Sequence, residues 1–439
     1  MNAVAREPVG ALLRRRWRDK AAWCAATDFF LILVALVLPW STSLTAIFAV
    51  AVVVTMAPFF DANAFLQSMR RPAAIFPVAL FVLALVGTLW SDAAWGARLY
   101  SVGPTAKLLM MPLLFYHFQR SARAGQIFGA FLVSCILLMA MSWLVAYFPN
   151  LTLKARDVAS PGVFVKNYID QSQEFALCAV ALAYPVLSSL RARRFLPAFL
   201  LLVIAMSFLA NMMFVIVSRT ALVTMPIMLA AFGLAHLRWR TNVVILAAAV
   251  VLAGLAWMAS PLLQQKIASI GSEYQLYKEQ GSITSVGERL EFWRKSLQFF
   301  VEAPIAGHGT GSTERLFVQA AAGQRGVAAE VIRNPHNQTL NVAVQWGMLG
   351  IIALYAMWIS HLLLFRGEDL FSWIGLLVVV QNIFTSLFNS HIFDFHEGWM
   401  YVLGVGVAGG LVLKARGTAG IDQAGFIGSD GSARSRDIP

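Results

Sequence analysis

Long apolar runs, separated by short polar stretches, constrain the fold of this chain more than any other sequence feature. A helix needs about 20 apolar residues to cross a hydrocarbon core of about 30 Å. Only 13% of the 439 residues are charged, against about 25% in soluble domains. The sequence therefore predicts an all-α polytopic membrane protein with about twelve transmembrane helices. The apolar runs lie at 22–39, 43–60, 74–91, 104–118, 125–147, 173–190, 195–217, 220–237, 242–262, 339–365, 370–388 and 396–414.

Basic residues lie in every second short loop, and this alternation orients the chain in the membrane. Cytoplasmic loops of membrane proteins carry an excess of Lys and Arg. If the N-terminus is cytoplasmic, the inner loops hold Arg70 and Arg71; Arg120 and Arg123; Arg191, Arg193 and Arg194; Arg238 and Arg240; Arg366; and Lys414 with Arg416. Both termini are therefore predicted to be cytoplasmic. The net charge of +12 reflects this topology, so no nucleic-acid partner is expected.

The apolar runs divide the chain into five parts. Residues 1–21 are a basic cytoplasmic N-terminus, 22–262 carry transmembrane helices 1–9, and 339–416 carry helices 10–12. Between the two groups, residues 263–338 form a long loop on the outer side. The last part, 417–439, is rich in Gly, Ser, Ala and Asp and is predicted to be a disordered cytoplasmic tail.

The long loop, residues 263–338, has the pattern of a folded cap rather than of a linker. Ser285 and Glu288, three residues apart, predict a capping box at the start of a helix. Apolar residues then recur at helical spacing and predict an amphipathic helix that lies on the membrane surface. They are Leu290, Trp293, Leu297 and Phe300.

A polar stretch at the end of the long loop stands directly before an apolar run. It reads Arg333-Asn334-Pro335-His336-Asn337-Gln338-Thr339. Pro335 disfavours helix at the residue before it, so a helix is predicted to begin near His336, with its N-terminal amides pointing out of the bilayer. Such a helix end favours anions. The alternative interpretation is a plain loop-to-helix junction, with Asn337 as the cap and an exposed His336.

Three cations on the outer side are candidates for binding an anionic substrate. Arg219 lies between two apolar runs, Arg289 lies in the first turn of the loop helix, and Lys166 lies just before a span. A guanidinium group is permanently charged and bidentate, so it suits a diphosphate, whereas a histidine suits proton transfer from a hydroxyl. The alternative interpretations are contact with lipid headgroups for Arg219 and Lys166 and a solvated helix face for Arg289.

Several familiar catalytic motifs are missing from the sequence. It has no Asp-x-Asp pair, no HExxH motif, no Walker loop and no Cys/His spacing typical of a metal site. The three cysteines, Cys24, Cys135 and Cys178, all lie within apolar runs and offer no disulfide framework. We therefore expect a reaction without a metal ion and without a cofactor.

In order along the chain, four short motifs together resemble the bacterial O-antigen ligase/polymerase superfamily. They are Ser218-Arg219, Gly287-Glu288-Arg289, Pro304 with Gly307-His308-Gly309, and Asn334-Pro335-His336-Asn337. The motifs cover roughly 160–350, and the topology covers the whole chain. The resemblance implies a metal-independent, inverting glycosyltransferase of the GT-C type. It would take a glycan from undecaprenyl diphosphate at the periplasmic face of the bacterial inner membrane.

Within this superfamily the motifs identify the donor more firmly than the acceptor. A ligase transfers O-antigen to lipid A–core and completes lipopolysaccharide, a polymerase extends the glycan, and a protein-directed relative glycosylates Ser or Thr. A length of 439 residues favours the ligase over the protein-directed relative, which tends to be longer. An O-antigen polymerase is one alternative, and a transporter or flippase of lipid-linked sugars is another. The concentration of polar residues on one face and one loop favours an enzyme over a transporter.

The resemblance assigns roles to individual residues of this chain. Arg219 and Arg289 match the family's diphosphate-facing arginines, and His336 matches its essential histidine. His336 is predicted to be the general base for the acceptor hydroxyl, and a diphosphate ligand is the alternative. Glu288 is a second, less favoured base.

Three further residues are predicted to bind substrate. Lys166 falls where some relatives place a basic or histidine residue, and Asn337 belongs to the same motif as His336. Asp394, with histidines nearby in the last outer loop, is a possible partner for a cation or for the catalytic histidine. The expected partners are the lipid-linked O-antigen, lipid A–core and membrane lipids.

Overall fold

The computed structural model describes residues 19–151 and 162–430, and within these ranges it is entirely helical, with no strand. We number the α-helices of these ranges in chain order. They are α1 Lys20–Val37, α2 Thr42–Met56, α3 Ala62–Met69, α4 Pro72–Val86, α5 Trp95–Ala106, α6 Met110–Phe118, α7 Ala124–Tyr147, α8 Tyr168–Ala181, α9 Ala183–Arg191, α10 Phe195–Phe214, α11 Arg219–His236, α12 Trp239–Ala259, α13 Pro261–Gln280, α14 Ser285–Glu302, α15 Thr313–Ala321, α16 Gln338–Leu364, α17 Leu370–Thr385 and α18 Phe395–Asp430.

By length and composition, the described ranges contain 9 helices that can cross a membrane. Each coincides with an apolar run of the sequence, which confirms that the protein is an α-helical membrane protein. The 9 helices are Lys20–Val37, Thr42–Phe59, Ala124–Tyr147, Tyr168–Arg191, Phe195–Phe214, Arg219–His236, Trp239–Ala259, Gln338–Leu364 and Phe395–Gly417.

The predicted count of about twelve spans is not confirmed, because the other three apolar runs form shorter or broken helices. Helices α3 and α4 qualify only as a pair, and they are bent by 91° at their junction. Pro72 begins α4 and leaves Arg71 extended, which accounts for the bend. The run 104–118 is divided between α5 and α6 by a 3₁₀ turn. The run 370–388 gives only the 16 residues of α17.

The predictions for the two ends of the chain, a basic N-terminus and a disordered tail, depend on composition. Helix α18 continues to Asp430, so residues 417–430 of the predicted disordered tail are helical. Residues 431–439, and 1–18 of the predicted basic N-terminus, lie outside the described residues.

The long loop contains the helices α13, α14 and α15, and its central helix differs in detail from the prediction. Helix α14 is capped by Thr284, whose hydroxyl accepts from the Gly287 N–H at 3.1 Å, so the prediction of a capping box starting at Ser285 is wrong. Its buried face carries Phe292 and Phe299, which pack with Phe317. The predicted apolar stripe lies on another face, where Leu297 is exposed.

A glycine-rich segment, residues 304–311, follows α14 and is inserted into a break in helix α16. The break is at Gly347, whose φ of 59° is not helical. Four backbone hydrogen bonds to this segment replace those that the helix loses there. They are His308 N–H to Val344 O (2.9 Å), Gly309 N–H to Gln345 O (2.8 Å), Met348 N–H to Pro304 O (2.8 Å) and Leu349 N–H to Ile305 O (3.2 Å).

Gly347 is required at this break for two reasons. Its backbone lies in the left-handed region, which L side chains rarely adopt. A Cβ atom at Gly347 would also lie 2.5 Å from the carbonyl carbon and oxygen of Ile305. Since the segment follows α14 directly, these contacts fix the end of α14 to α16 and hold the cap over the start of α16.

Candidate functional site

His336 lies in the last turn before α16, at the place predicted from the sequence. Asn337 is the N-cap, as in the alternative interpretation of this junction, and its side-chain oxygen accepts from the Leu340 N–H at 3.0 Å. The other end of the Asn337 amide donates to the Leu387 carbonyl at 3.1 Å. Asn337 thus joins the start of α16 to the last outer loop, and its predicted contact with substrate stays a prediction.

The backbone of His336 is held in an unusual conformation. Its φ of 54° lies in the left-handed region, which a residue with a side chain rarely occupies. The Asn334 side-chain oxygen stabilises it by accepting from the His336 N–H at 2.9 Å and from the Ser390 hydroxyl at 2.7 Å. Such strain costs of order 1–3 kcal/mol and is concentrated at functional sites.

Three side chains form what we call the histidine network: His336, Asn389 and Asp394. The Asn389 amide donates to Asp394 Oδ2 at 2.8 Å, which leaves its oxygen 2.8 Å from His336 Nδ1. Because an amide oxygen can only accept, Nδ1 must carry the proton when it faces that oxygen. A neutral His336 then has its lone pair on Nε2, which is the form that a general base needs.

Burial sets the protonation of both ends of the histidine network. Burial lowers the pKa of His336 below the usual 6.5. The hydrogen bond to Asn389 raises this pKa in part, and the positive charge of Arg289 lowers it further. Burial raises the pKa of Asp394 to about 7, although the nearby His391 lowers it. His336 is therefore neutral, and able to accept a proton, at neutral pH.

Helix α14 places Arg289 and Phe292 on one face, three residues apart, over the start of α16. The Phe292 ring stacks on the His336 ring at a centroid distance of 6.2 Å and an angle of 29°. One Arg289 nitrogen donates to the Ser285 hydroxyl at 3.1 Å. Its Nε is buried and has no hydrogen-bond partner among the described residues. Arg289 thus has an unused donor beside His336.

Arg219 is the first residue of α11, and the long loop occupies its guanidinium group. It donates to both oxygens of Glu273 on α13, to the Ser269 hydroxyl at 2.6 Å and to the Lys266 carbonyl at 3.1 Å. The hydrogen bond from Arg219 lowers the pKa of Glu273 below its usual value. Arg219 and Glu273 therefore form an ion pair at neutral pH. The charge of Arg219 also acts on Arg289.

Lys166 lies in a different environment from the two arginines. Its side chain is buried, donates to the Leu38 carbonyl and pairs with Glu174 Oε1 at 3.2 Å. The Lys166 amine is thus bonded to groups of the helix bundle. Its predicted role with substrate remains a prediction.

Asn389 is the main participant that the sequence analysis missed. It joins His336 to Asp394, and it also accepts from the Asn334 amide at 3.4 Å. The predicted association of Asp394 with the histidine is therefore indirect. A neutral amide in a short loop gives no signal by charge or spacing, so only its place in the fold identifies Asn389.

The fold also brings together residues that could hold a metal ion, although their spacing along the chain gave no such indication. Within the described ranges, two groups have ligand atoms within 4.8 Å of one another. In one group, Asp28 already bonds to His117 at 2.7 Å and to Ser121 at 2.8 Å. The two groups are Cys24, Asp28 and His117, and His391, Asp394 and Glu397. The expectation of a metal-free reaction stays a prediction.

A comparison with protein families gives one match. Residues 204–355 match a family model described as O-antigen ligase, and this range contains Arg219, Arg289 and His336. No curated protein matches the chain. The match confirms the predicted superfamily over the segment that carries its motifs.

Proposed function

We propose that this protein, which carries an O-antigen ligase family domain at residues 204–355, is an O-antigen ligase. It transfers the O-antigen glycan from undecaprenyl diphosphate to lipid A–core at the periplasmic face of the inner membrane. The transfer inverts the anomeric centre and uses no metal ion. The product is complete lipopolysaccharide.

One observation carries the proposal: a base-competent histidine lies beside an arginine with a free donor. His336 Nδ1 faces the oxygen of Asn389, so the Nε2 lone pair is available. Arg289 presents a buried Nε without a partner in the described part of the chain. A glycosyl transfer from a diphosphate needs both a base for the nucleophile and a cation for the leaving group.

The reaction follows from these two groups. The acceptor hydroxyl oxygen attacks the anomeric carbon from the face opposite the diphosphate, and its proton passes to His336 Nε2. The bond between the anomeric carbon and the phosphate oxygen breaks, and undecaprenyl diphosphate leaves with the electron pair. Arg289 and Arg219 stabilise the negative charge that builds on the departing group.

The two arginines enter this step differently. Arg289 has a buried Nε without a partner in the described part of the chain, whereas Arg219 is paired with Glu273. A diphosphate that reaches Arg219 therefore shares or replaces this carboxylate. Such an exchange is feasible because the side chains of Arg219 and Glu273 are 25% and 20% exposed, so solvent and ligand can reach them.

The proposal also fixes an orientation, with both termini in the cytoplasm. Cysteines placed at Ser272 and Gln280, which are exposed on α13, are expected to react with a membrane-impermeant thiol reagent added from the periplasm. Cysteines at Ala122 and Ala192, exposed on the opposite side, are expected not to react. The unsubstituted protein gives the background from its own cysteines. Labelling at Ala122→Cys alone would reverse the orientation.

The function is tested with purified protein, lipid-linked O-antigen and lipid A–core in excess EDTA. We expect a ligated product from the wild type. His336→Ala is expected to lose it by 10²–10⁴-fold or more, because proton transfer supplies about that factor, while donor binding remains. His236→Ala is the matched control, since His236 is half-buried and lies at the end of α11 opposite to Arg219. If His336→Ala loses donor affinity and bound donor still turns over, His336 is a diphosphate ligand instead.

A deletion strain distinguishes the ligase from a polymerase of the same superfamily. Without the ligase, lipid A–core stays unmodified and polymerised glycan accumulates on its lipid carrier. Without a polymerase, single repeat units are attached to lipid A–core. Single-repeat lipopolysaccharide in the deletion strain would assign the polymerase function to this chain.

A further inference from the structure

A polar cavity lies beside the histidine network and has no role in the reaction described above. Its volume is about 250 Å³, which is room for about eight water molecules at liquid density or for one sugar ring. It lies at the outer ends of α8 and α18. Its polar lining comes from Asn167, Asp170, Asn389, Asp394, His396 and Glu397, and we call this cavity the carboxylate pocket.

Two residues of the carboxylate pocket are more than nine-tenths buried and carry polar atoms without a hydrogen-bond partner among the described residues. His396 is 8% exposed, and its Nε2 has no hydrogen-bond partner among the described residues, whereas its Nδ1 bonds to Asp170 at 2.7 Å. Glu397 is 6% exposed, and its Oε1 makes no hydrogen bond and lies 3.5 Å from His391 Nδ1. Buried polar atoms normally have partners, so these two indicate a polar ligand.

The chemistry of the lining selects the ligand. Three carboxyl groups, from Asp170, Asp394 and Glu397, would repel a diphosphate, so the donor's charged group belongs with the arginines. Carboxylates accept hydrogen bonds from hydroxyl groups, and a histidine nitrogen can accept or donate. We propose that the carboxylate pocket binds the hydroxyl groups of the acceptor sugar, an inference that rests on the proposed function.

A divalent cation is less suited to the same pocket. The Lys107 amine donates to the backbone carbonyls of Phe393 and Asp394, at 3.2 Å from the former. This fixed positive charge lies next to the carboxyl groups of Asp394 and Glu397. A second cation would be repelled by this amine, so a neutral ligand with many hydroxyl groups fits the pocket better.

The first turn of α8 links this pocket to Arg289. Asn167 and Asp170 line the pocket, whereas Tyr168, between them in sequence, interacts electrostatically with Arg289. Asn389 belongs both to the pocket lining and to the hydrogen bond with His336. An acceptor sugar in the pocket therefore lies next to Asn389, the residue that orients the base.

The test measures binding of the core oligosaccharide, released from lipid A, to the purified full-length protein without donor. We expect the wild type to bind it and Asp170→Asn and Glu397→Gln to weaken binding by about tenfold or more, because each replaces one carboxyl oxygen of the lining with an amide nitrogen that cannot accept a hydrogen bond. The KM for lipid-linked donor in the ligation assay is expected to stay within about twofold. Asp92→Asn is the matched control, since this outer carboxylate is 84% exposed.

Each result decides the inference. No binding by the wild type, or equal binding by wild type and both variants, would overturn it. Binding of Mn²⁺ that Glu397→Gln abolishes would also overturn it, in favour of a cation site. If Asp170→Asn does not fold, His396→Gln tests the same pocket. A wild type that binds the oligosaccharide but forms no ligated product contradicts the proposed function and leaves the pocket assigned.

Discussion

The two ends of the long loop are held to the membrane helices by different kinds of contact. The first end, α13, is joined to α11 by side chains, through the Arg219–Glu273 ion pair and Ser269. The second end, by which we mean the part of the loop that begins directly after α14 and finishes at His336, is joined to α16 by backbone hydrogen bonds at Gly347. Both ends border the candidate site, since α13 binds Arg219 and the second end contains His336.

This difference separates what a substrate can change from what it cannot. A backbone hydrogen bond inside a helix break has no competitor, because a substrate offers nothing that fits there. An ion pair between partly exposed side chains can be exchanged for another anion. We therefore infer that the second end fixes Arg289 over His336 permanently, whereas the first end exchanges Glu273 for the donor diphosphate.

The largest expected effect comes from breaking the backbone contact with Gly347→Ala. The new Cβ would lie 2.5 Å from Ile305, at a φ of 59°. Backbone strain and overpacking together cost of order 3 kcal/mol or more. This is a large part of a typical stability of about 5–15 kcal/mol. We expect loss of the monodisperse protein in size-exclusion chromatography, or a much lower Tm, with loss of ligation.

The matched control lies at the other end of the loop. Gly271, inside α13, has nothing within 4 Å of an added Cβ. Gly271→Ala is expected to keep the fold and the activity, because alanine is favourable in an exposed helix. Equal damage from Gly271→Ala and Gly347→Ala would contradict the distinction between the two ends.

The second prediction compares the two arginines. Arg289→Lys is expected to lower kcat by about 100-fold, because removing one preorganised donor to a developing charge has that effect. Arg219→Lys is expected to lower the Tm as well, since a single ammonium cannot hold both oxygens of Glu273. Thermal unfolding and ligation rates measured on both variants check this. An unchanged Tm in Arg219→Lys would show that the ion pair does not fasten α13.

The sequence predicted one end of the site better than the other. Long apolar runs identified most spans, and the proline and the asparagine cap placed the start of α16 correctly. The break at Gly347 was missed because its φ depends on a segment some 40 residues earlier along the chain, which no local pattern reveals. The ion pair of Arg219 with Glu273 was missed for the same reason, since two surface charges far apart in sequence give no signal.

The third prediction tests whether Glu273 competes with the substrate. Glu273→Gln removes the negative charge but keeps an oxygen that can accept from the Val286 N–H, a contact of 3.1 Å in the wild type. With Arg219 no longer neutralised, we expect the KM for lipid-linked donor to fall severalfold, by about 1 kcal/mol of binding, the upper range for an exposed pair. Steady-state kinetics at two salt concentrations measure this. A higher KM with unchanged Tm would mean that Glu273 assists donor binding.

The smallest expected effect concerns the side-chain contact that reinforces the second end, between Asn389 and Asp394. An ionised Asp394 can only accept, so it fixes the Asn389 amide with its oxygen towards His336. A protonated Asp394 can donate, which permits the reversed amide and moves the His336 proton to Nε2. The pKa of Asp394 is raised to about 7, so the wild-type rate is expected to rise with pH through about 7. The rate also rises with pH through the pKa of His336, which is lowered below 6.5.

Asp394→Asn removes the first of these two transitions. An amide at position 394 can either accept or donate, so both orientations of Asn389 are satisfied and about half of the His336 rings keep a free Nε2. We expect kcat at saturating donor and acceptor to fall about twofold at pH 8 and to lose its transition near pH 7, while the transition below pH 6.5 remains. The pH profile of ligation with both substrates saturating measures both and leaves out any change in acceptor binding. A wild-type profile without a transition near pH 7 would show that Asp394 does not control the orientation of Asn389.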